Sequence, residues 1–147
     1  MSAVATDPVV VANRLRPILH KLGRHLRRET HSLGVTGSQI SLLAEIRRSP
    51  GIGVRELAAA ERMSSPGMSK YVARLEGTGL VRRTETTDRR RTGLELTGEG
   101  QAVLRSVRSR RTAWLAARLR NLDPDDLAIL DAAIEPLTRL LEEPERT

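Results

Sequence analysis

Two short stretches carry side chains whose type and spacing point to chemistry. The first is Thr86-Thr87-Asp88-Arg89-Arg90-Arg91-Thr92-Gly93. Three adjacent arginines repel one another and make poor core material. They are either a solvated basic loop or a device aimed at something acidic. The second is Met63-Ser64-Ser65-Pro66-Gly67-Met68-Ser69-Lys70, with Arg74 one helical turn on. Ser64 is a natural helix N-cap, and Pro66 falls in the tolerant first turn. The free N–H groups of such a helix start favour an anion such as phosphate. Ser65, Pro66, Gly67 and Ser69 are small, so the helix backbone can approach a partner closely. Lys70 and Arg74 add positive charge, though isolated charges are as often plain solvated surface. Met68, Val72 and Leu75 fall on one face and read as core, and Tyr71 reads as packing.

The elements that must position these groups follow from periodicity and punctuation. Residues 8–30 read as a helix with Val11, Leu15, Ile18, Leu22 and Leu26 at spacings of three and four. Pro17 predicts a kink or an early end. Thr36 to Arg47 is a second helix, with capping-box spacing at Thr36 and Gln39. A short helix from Val54 to Glu61 turns Val54, Leu57 and Ala58 inward. The helix opened by Ser64 ends around Gly77 and Gly79. Leu80–Thr86 and Thr92–Leu96 are β-prone, so the arginine stretch sits at a hairpin tip. Thr97 caps a long helix to about Arg120, with Leu104, Val107, Trp114, Leu115, Ala117 and Leu119 as its apolar surface. Asp123-Pro124 opens the last helix. There Leu127, Leu130, Ile134, Leu137 and Leu141 form a near-heptad stripe, either a partner seam or a face turned to the core. Pro136 predicts a bend.

Helix, tight turn, helix and hairpin in this order make a winged helix-turn-helix. The fold class is therefore mainly α with a small β-hairpin wing. In such a unit the second helix enters the DNA major groove by its N-terminal end.

The bulk numbers agree. The chain has 147 residues, a formal charge of +7, one Trp, one Tyr and no Phe. Residues 1–120 hold 23 Lys+Arg against 10 Asp+Glu, a balance of +13, whereas residues 121–147 balance at −6. A basic body with an acidic end suits a polyanion bound by the body alone. A core of aliphatic residues is modest, and oligomerisation would add burial. The absence of cysteine excludes disulfides, thiolate metal sites and thiol redox sensing. No phosphate-binding glycine loop, nucleophile elbow or zinc-binding His-Glu-x-x-His helix occurs, and His20, His25 and His31 are poorly spaced for metal. No enzymatic activity, metal or cofactor is expected. No stretch approaches ~20 apolar residues and no signal core precedes residue 8, so a cytoplasmic, nucleoid-associated protein without a membrane partner is expected.

The sequence resembles the MarR (multiple antibiotic resistance regulator) family of transcriptional regulators. The resemblance rests on Arg55-Glu56-Leu57-Ala58, on Met63 to Lys70, and on Arg74-Leu75-Glu76. It continues through Gly79-Leu80-Val81-Arg82-Arg83, Asp88-Arg89-Arg90 and Leu96-Thr97-Gly98-Glu99-Gly100. It implies a homodimer on a pseudo-palindromic double-stranded operator, with a helix in the major groove and a wing in the flanking minor groove. It implies dimerisation helices over residues 1–35 and 98–147 flanking a DNA-binding domain over 36–97. By resemblance, Arg90 is the minor-groove arginine and Asp88 braces the wing. Arg89 and Arg91 lie near phosphates or in solvent. The expected DNA-binding set is Ser64, Ser65, Pro66, Gly67, Ser69, Lys70, Arg74, Asp88, Arg89, Arg90 and Arg91.

The resemblance also implies a small-molecule effector for many members. Here Trp114 is the one large ring on the long helices, and Arg16, His20 and His25 are the polar groups on the first. Two other readings of the same charge pattern stay open: a sequence-nonspecific architectural protein, and a winged helix used to dock proteins.

Overall fold

The computed structural model describes residues 5–85 and 92–142. The chain forms two compact units, residues 1–111 and 112–147.

Helix α1 spans Pro8–Arg28, with the Asp7 side chain accepting from the Val9 amide at 2.9 Å. It runs through Pro17 as one helix and stops two residues short of the expected end. Pro17 therefore does not shorten it. Its missing donor costs one bond within a long ladder. A single 3-10 turn, His31–Leu33, follows and ends on Gly34 with φ 74°. The sequence reading did not foresee this turn. Helix α2, Gly37–Arg48, starts with the expected capping box: Thr36 Oγ1 accepts from the Gln39 amide at 3.1 Å, and Gln39 Oε1 accepts from the Thr36 amide at 2.9 Å.

Strand β1 is only Ile52–Gly53, and helix α3, Val54–Ala60, follows at once. Leu57 and Ala58 are buried as expected, but Val54 is only half-buried, because it packs at the margin of the core. Helix α4 spans Ser65–Gly77. Strands β2, Val81–Glu85, and β3, Thr92–Leu96, form the antiparallel hairpin, with Val81 opposite Leu96 and Glu85 opposite Thr92. The sheet order is β1-β3-β2, so β3 is the centre and β1 adds a third strand through Ile52–Leu94 and Gly53–Gly93. The winged helix-turn-helix expected from the sequence is present. The turn that carries Asp88, Arg89, Arg90 and Arg91 lies outside the described residues.

One aliphatic core holds this part together. Leu42, Leu43 and Ile46 of α2, Leu57 of α3, Met68, Val72 and Leu75 of α4, and Leu94 of β3 are all buried, joined by Leu104 and Val107. Burial of each large side chain contributes about 1.5–3 kcal/mol. The core is what fixes α4 against α2 and the wing.

Helix α5 spans Gly98–Leu119. Within the first unit, the Arg111 guanidinium donates to the Leu26 carbonyl at 3.2 Å and to Thr30 Oγ1 at 3.3 Å, and Arg110 donates to Ser32. Thr30 is the one buried polar residue of the described core. It also donates to the Arg27 carbonyl. Burial, and then the charge of Arg27, push the Arg111 guanidinium below the ordinary arginine range.

In the second unit, α6 spans Pro124–Arg139. Asp123 Oδ1 accepts from the Asp126 amide at 2.9 Å, as the Asp-Pro start predicts. α6 continues through Pro136, and it buries none of its residues. The same holds for α1. α6 therefore displays its apolar stripe, and α1 leaves Val11, Ile18 and Leu22 exposed while Leu15 and Leu26 are half-buried. In α5, Trp114 is half-buried, and the Arg118 guanidinium lies 4.8 Å from its ring centroid.

Candidate nucleic-acid interface

The geometry of α4 starts at its cap. Ser64 has extended backbone, and its Oγ accepts from the Gly67 amide at 3.2 Å. A Cβ on Gly67 would sit 3.0 Å from that oxygen, so glycine leaves the cap room. Met68, Val72 and Leu75 are fully buried. Their spacing of four and three leaves Ser65, Pro66, Ser69, Lys70, Ala73 and Arg74 exposed on the rest of the helix. Gly67 is half-buried beneath the cap. The sequence-selected residues of α4 are thus brought together as one small, polar and basic surface. Among the described residues, neither Lys70 nor Arg74 has an ion-pair partner. Tyr71 is half-buried against the core, as expected from packing.

Two neighbouring arginines, Arg82 and Arg83, are spent on structure. Arg83 Nε donates to Glu76 Oε1 at 2.8 Å, tying β2 to the end of α4. Arg82 pairs with Glu95 across the hairpin at 2.9 Å. These partly exposed pairs contribute little stability, about 0.2–1 kcal/mol each. The first joins the wing base to α4, and the second ties the two wing strands together. Ser41 Oγ donates to both Glu61 oxygens at 3.1 and 3.2 Å, pinning the turn before α4 to α2.

The turn between α3 and α4 holds a feature that sequence reasoning missed. The Met63 amide donates to the Ala58 carbonyl at 2.8 Å, and the Arg62 amide to the Ala59 carbonyl at 3.2 Å. This pair of bonds is a Schellman motif, and it places its central residue in the left-handed region. That residue is Arg62, with φ 54°.

A cleft of about 520 Å³ opens beside the same turn, lined by Arg27, Ser38, Ser41, Glu61, Met63 and Tyr71 among others. Of the polar groups that sequence reasoning considered for an effector, Arg16, His20 and His25 are exposed on α1, and His20 Nε2 lies 3.2 Å from an Arg24 nitrogen. None of them lines this cleft.

The MarR family model matches residues 33–91, which hold α2, the helix-turn-helix and the first wing strand, β2. A crystal structure of a candidate transcriptional regulator from Pseudomonas aeruginosa is 35% identical, covers 92% of this chain and 96% of its own, and superposes with a TM-score of 0.82. The chain belongs to the MarR family. A curated HTH-type transcriptional regulator from Mycobacterium bovis is 29% identical over 134 residues, 90% of this MarR-family chain and 94% of the relative. The fold also matches a single-substitution mutant of Staphylococcus aureus MepR bound to an oligodeoxyribonucleotide. That match has a TM-score of 0.70 and 19% identity, over 90% of this chain and 98% of the other. The protein is a MarR-family transcriptional regulator and not an enzyme. Among the described residues, no helix is long and apolar enough to cross a membrane.

Proposed function

We propose that this regulator is a homodimer that binds a pseudo-palindromic double-stranded operator and represses transcription from it in the cytoplasm, at the nucleoid. The observation that carries the reading is the exposed surface of α4: small residues at its capped N-terminal end, then Lys70 and Arg74 without acidic partners among the described residues. Ser64, Ser65, Pro66, Gly67 and Ser69 let the helix start approach base edges and phosphates. Lys70 and Arg74 supply side-chain donors within the groove. Arg90 enters the flanking minor groove and reads its width and potential, Asp88 braces it, and Arg89 and Arg91 meet phosphates. Residues 36–97 are the DNA-binding domain. Residues 1–35 and 98–147 carry the dimer, for which the exposed apolar residues of α1 and α6 are the support. A small-molecule effector that changed the separation of the two α4 helices would release the operator, since half-sites lie about one helical turn apart.

A competition assay tests this reading. Labelled duplex from the intergenic DNA upstream of the gene should resist displacement by random duplex, and binding should fall steeply with salt. Equal competition by the two duplexes would mean a nonspecific architectural protein. No salt-sensitive binding at all would mean a protein-docking module. Arg90→Ala should weaken the specific complex about tenfold and lower the salt slope by about 1.8, about 0.9 for each of the dimer's two wings. The variant should remain a dimer by light scattering. Unchanged affinity at moderate salt would remove Arg90 from the interface.

A further inference from the structure

Arg62 occupies a position where the backbone favours glycine. Among the described residues, four have positive φ: Gly34, Gly51, Gly79 and Arg62. Three are glycine, for which the left-handed region costs nothing. Arg62 carries a Cβ there and accepts the steric cost. The Schellman bonds from Met63 and Arg62 hold it in place. Nothing among the described residues rewards the side chain for this. Arg62 is exposed and has no ion-pair partner among them. The adjacent acid, Glu61, is engaged by Ser41 instead. The carbonyl end of the seven-residue α3 favours a cation, but an arginine one turn earlier would serve that end without backbone strain.

Its place relative to α4 supplies a use. Arg62 stands two residues before the Ser64 cap, at the end of α4 that leads into the groove in the proposed complex. A strained residue held by its surroundings marks a functional position more often than an ordinary one. We infer that Arg62 is a DNA phosphate contact, placed by the turn beside the phosphates that flank the base pairs read by α4. The inference rests on the DNA-binding reading above and adds to it a residue outside the helix and the wing. The contact is electrostatic and carries no base preference.

Two substitutions separate this role from a structural one. Arg62→Gly removes both the charge and the strain, and Arg62→Lys keeps both. Each variant is measured by thermal melting and by anisotropy on the upstream intergenic duplex and on a scrambled duplex, across a salt series. Arg62→Gly should melt at the wild-type temperature or up to about 4 °C above it. It should bind both duplexes more weakly by a similar factor, about three- to tenfold, with the salt slope reduced by about 1.8, about 0.9 from each protomer of the dimer. Arg62→Lys should keep the wild-type slope. A glycine variant with the wild-type slope overturns the phosphate contact, and one that melts several degrees lower overturns the strain argument. If the wild-type protein itself shows no salt-sensitive duplex binding, the functional reading fails and this inference falls with it. If the wild type binds and only the variants disagree, the failure belongs to Arg62 alone.

Discussion

Leu130→Asp combined with Ile134→Asp should give a folded monomer that has lost tight duplex binding. α6 is a 16-residue helix with no buried residue. Leu130 is 45% exposed and Ile134 60% exposed, and Leu127, Ile129 and Leu137 are exposed beside them. A helix of this length is marginal in water on its own, and helices in proteins owe most of their stability to a packed apolar face. Substitutions at exposed sites usually change the stability of an isolated chain by no more than about 0.5 kcal/mol. About half of each side chain remains for a second copy to cover, so each would contribute about 0.75–1.5 kcal/mol, and the four in a dimer about 3–6 kcal/mol, to association. At about 1.4 kcal/mol per decade, dimerisation should weaken by at least a hundredfold. Without a linked second unit, affinity for a two-half-site operator should drop by a comparable factor. Light scattering, circular dichroism and duplex anisotropy on one preparation check all three statements. A double variant that remains a dimer of wild-type stability would mean that α6 is covered by something else.

That stripe also marks the limit of what the sequence says about the fold. The spacing of Leu127, Leu130, Ile134 and Leu137 reports that an apolar face exists, and it cannot report what covers it. α4 was fully legible because local and tertiary signals agree there: Ser64 caps, Pro66 sits in the first turn, and Met68, Val72 and Leu75 meet the core. The capping box of α2 and the Asp123-Pro124 start of α6 were legible for the same local reason. β1 was not. Its two residues are a strand only because Leu94 and Gly93 lie opposite them, and a pairing so distant along the chain leaves no mark in a dipeptide. Pro17 and Pro136 do not end their helices. Both are ordinarily breakers, yet each sits in a helix that is unbroken around it.

The candidate site divides in the same way. The exposure of Ser65, Ser69, Lys70 and Arg74 follows from helical geometry once the buried face is known. The left-handed backbone at Arg62 does not. A glycine there would have signalled the turn, and an arginine conceals it. Nor could composition separate the arginines fixed by acids, Arg82 and Arg83, from the basic residues left without partners on α4. That distinction needs the register that sets Arg82 opposite Glu95.

Gly100→Ala should destabilise the protein by about 3 kcal/mol, at the upper end of overpacking costs. An alanine Cβ at this position would lie 2.1 Å from the Leu80 carbonyl oxygen and 3.1 Å from its carbon. The obstacle is backbone, so no rotamer change relieves it. Leu80 cannot retreat cheaply, because its carbonyl accepts from the Thr97 amide at 3.1 Å and its side chain is buried in the core. Nor can the start of α5 move away freely. Thr97 Oγ1 donates to the Gly79 carbonyl at 2.5 Å and accepts from the Gly100 amide at 3.1 Å, while Leu104, one turn on, is buried. These bonds join the first turn of α5 to the junction of α4 and β2. Strain at Gly100 therefore reaches the two elements proposed to meet DNA. The expected melting point is about 6–12 °C below wild type. Duplex affinity, measured below the transition, should also fall, because α4 and the wing base lose their fixed relation. Gly98→Ala is the control: nothing lies within 4 Å of a Cβ there, and alanine is the better helix former, so its melting point should be unchanged or slightly raised. If the two variants melt together, the contact between Gly100 and Leu80 is not what positions α5 against the wing.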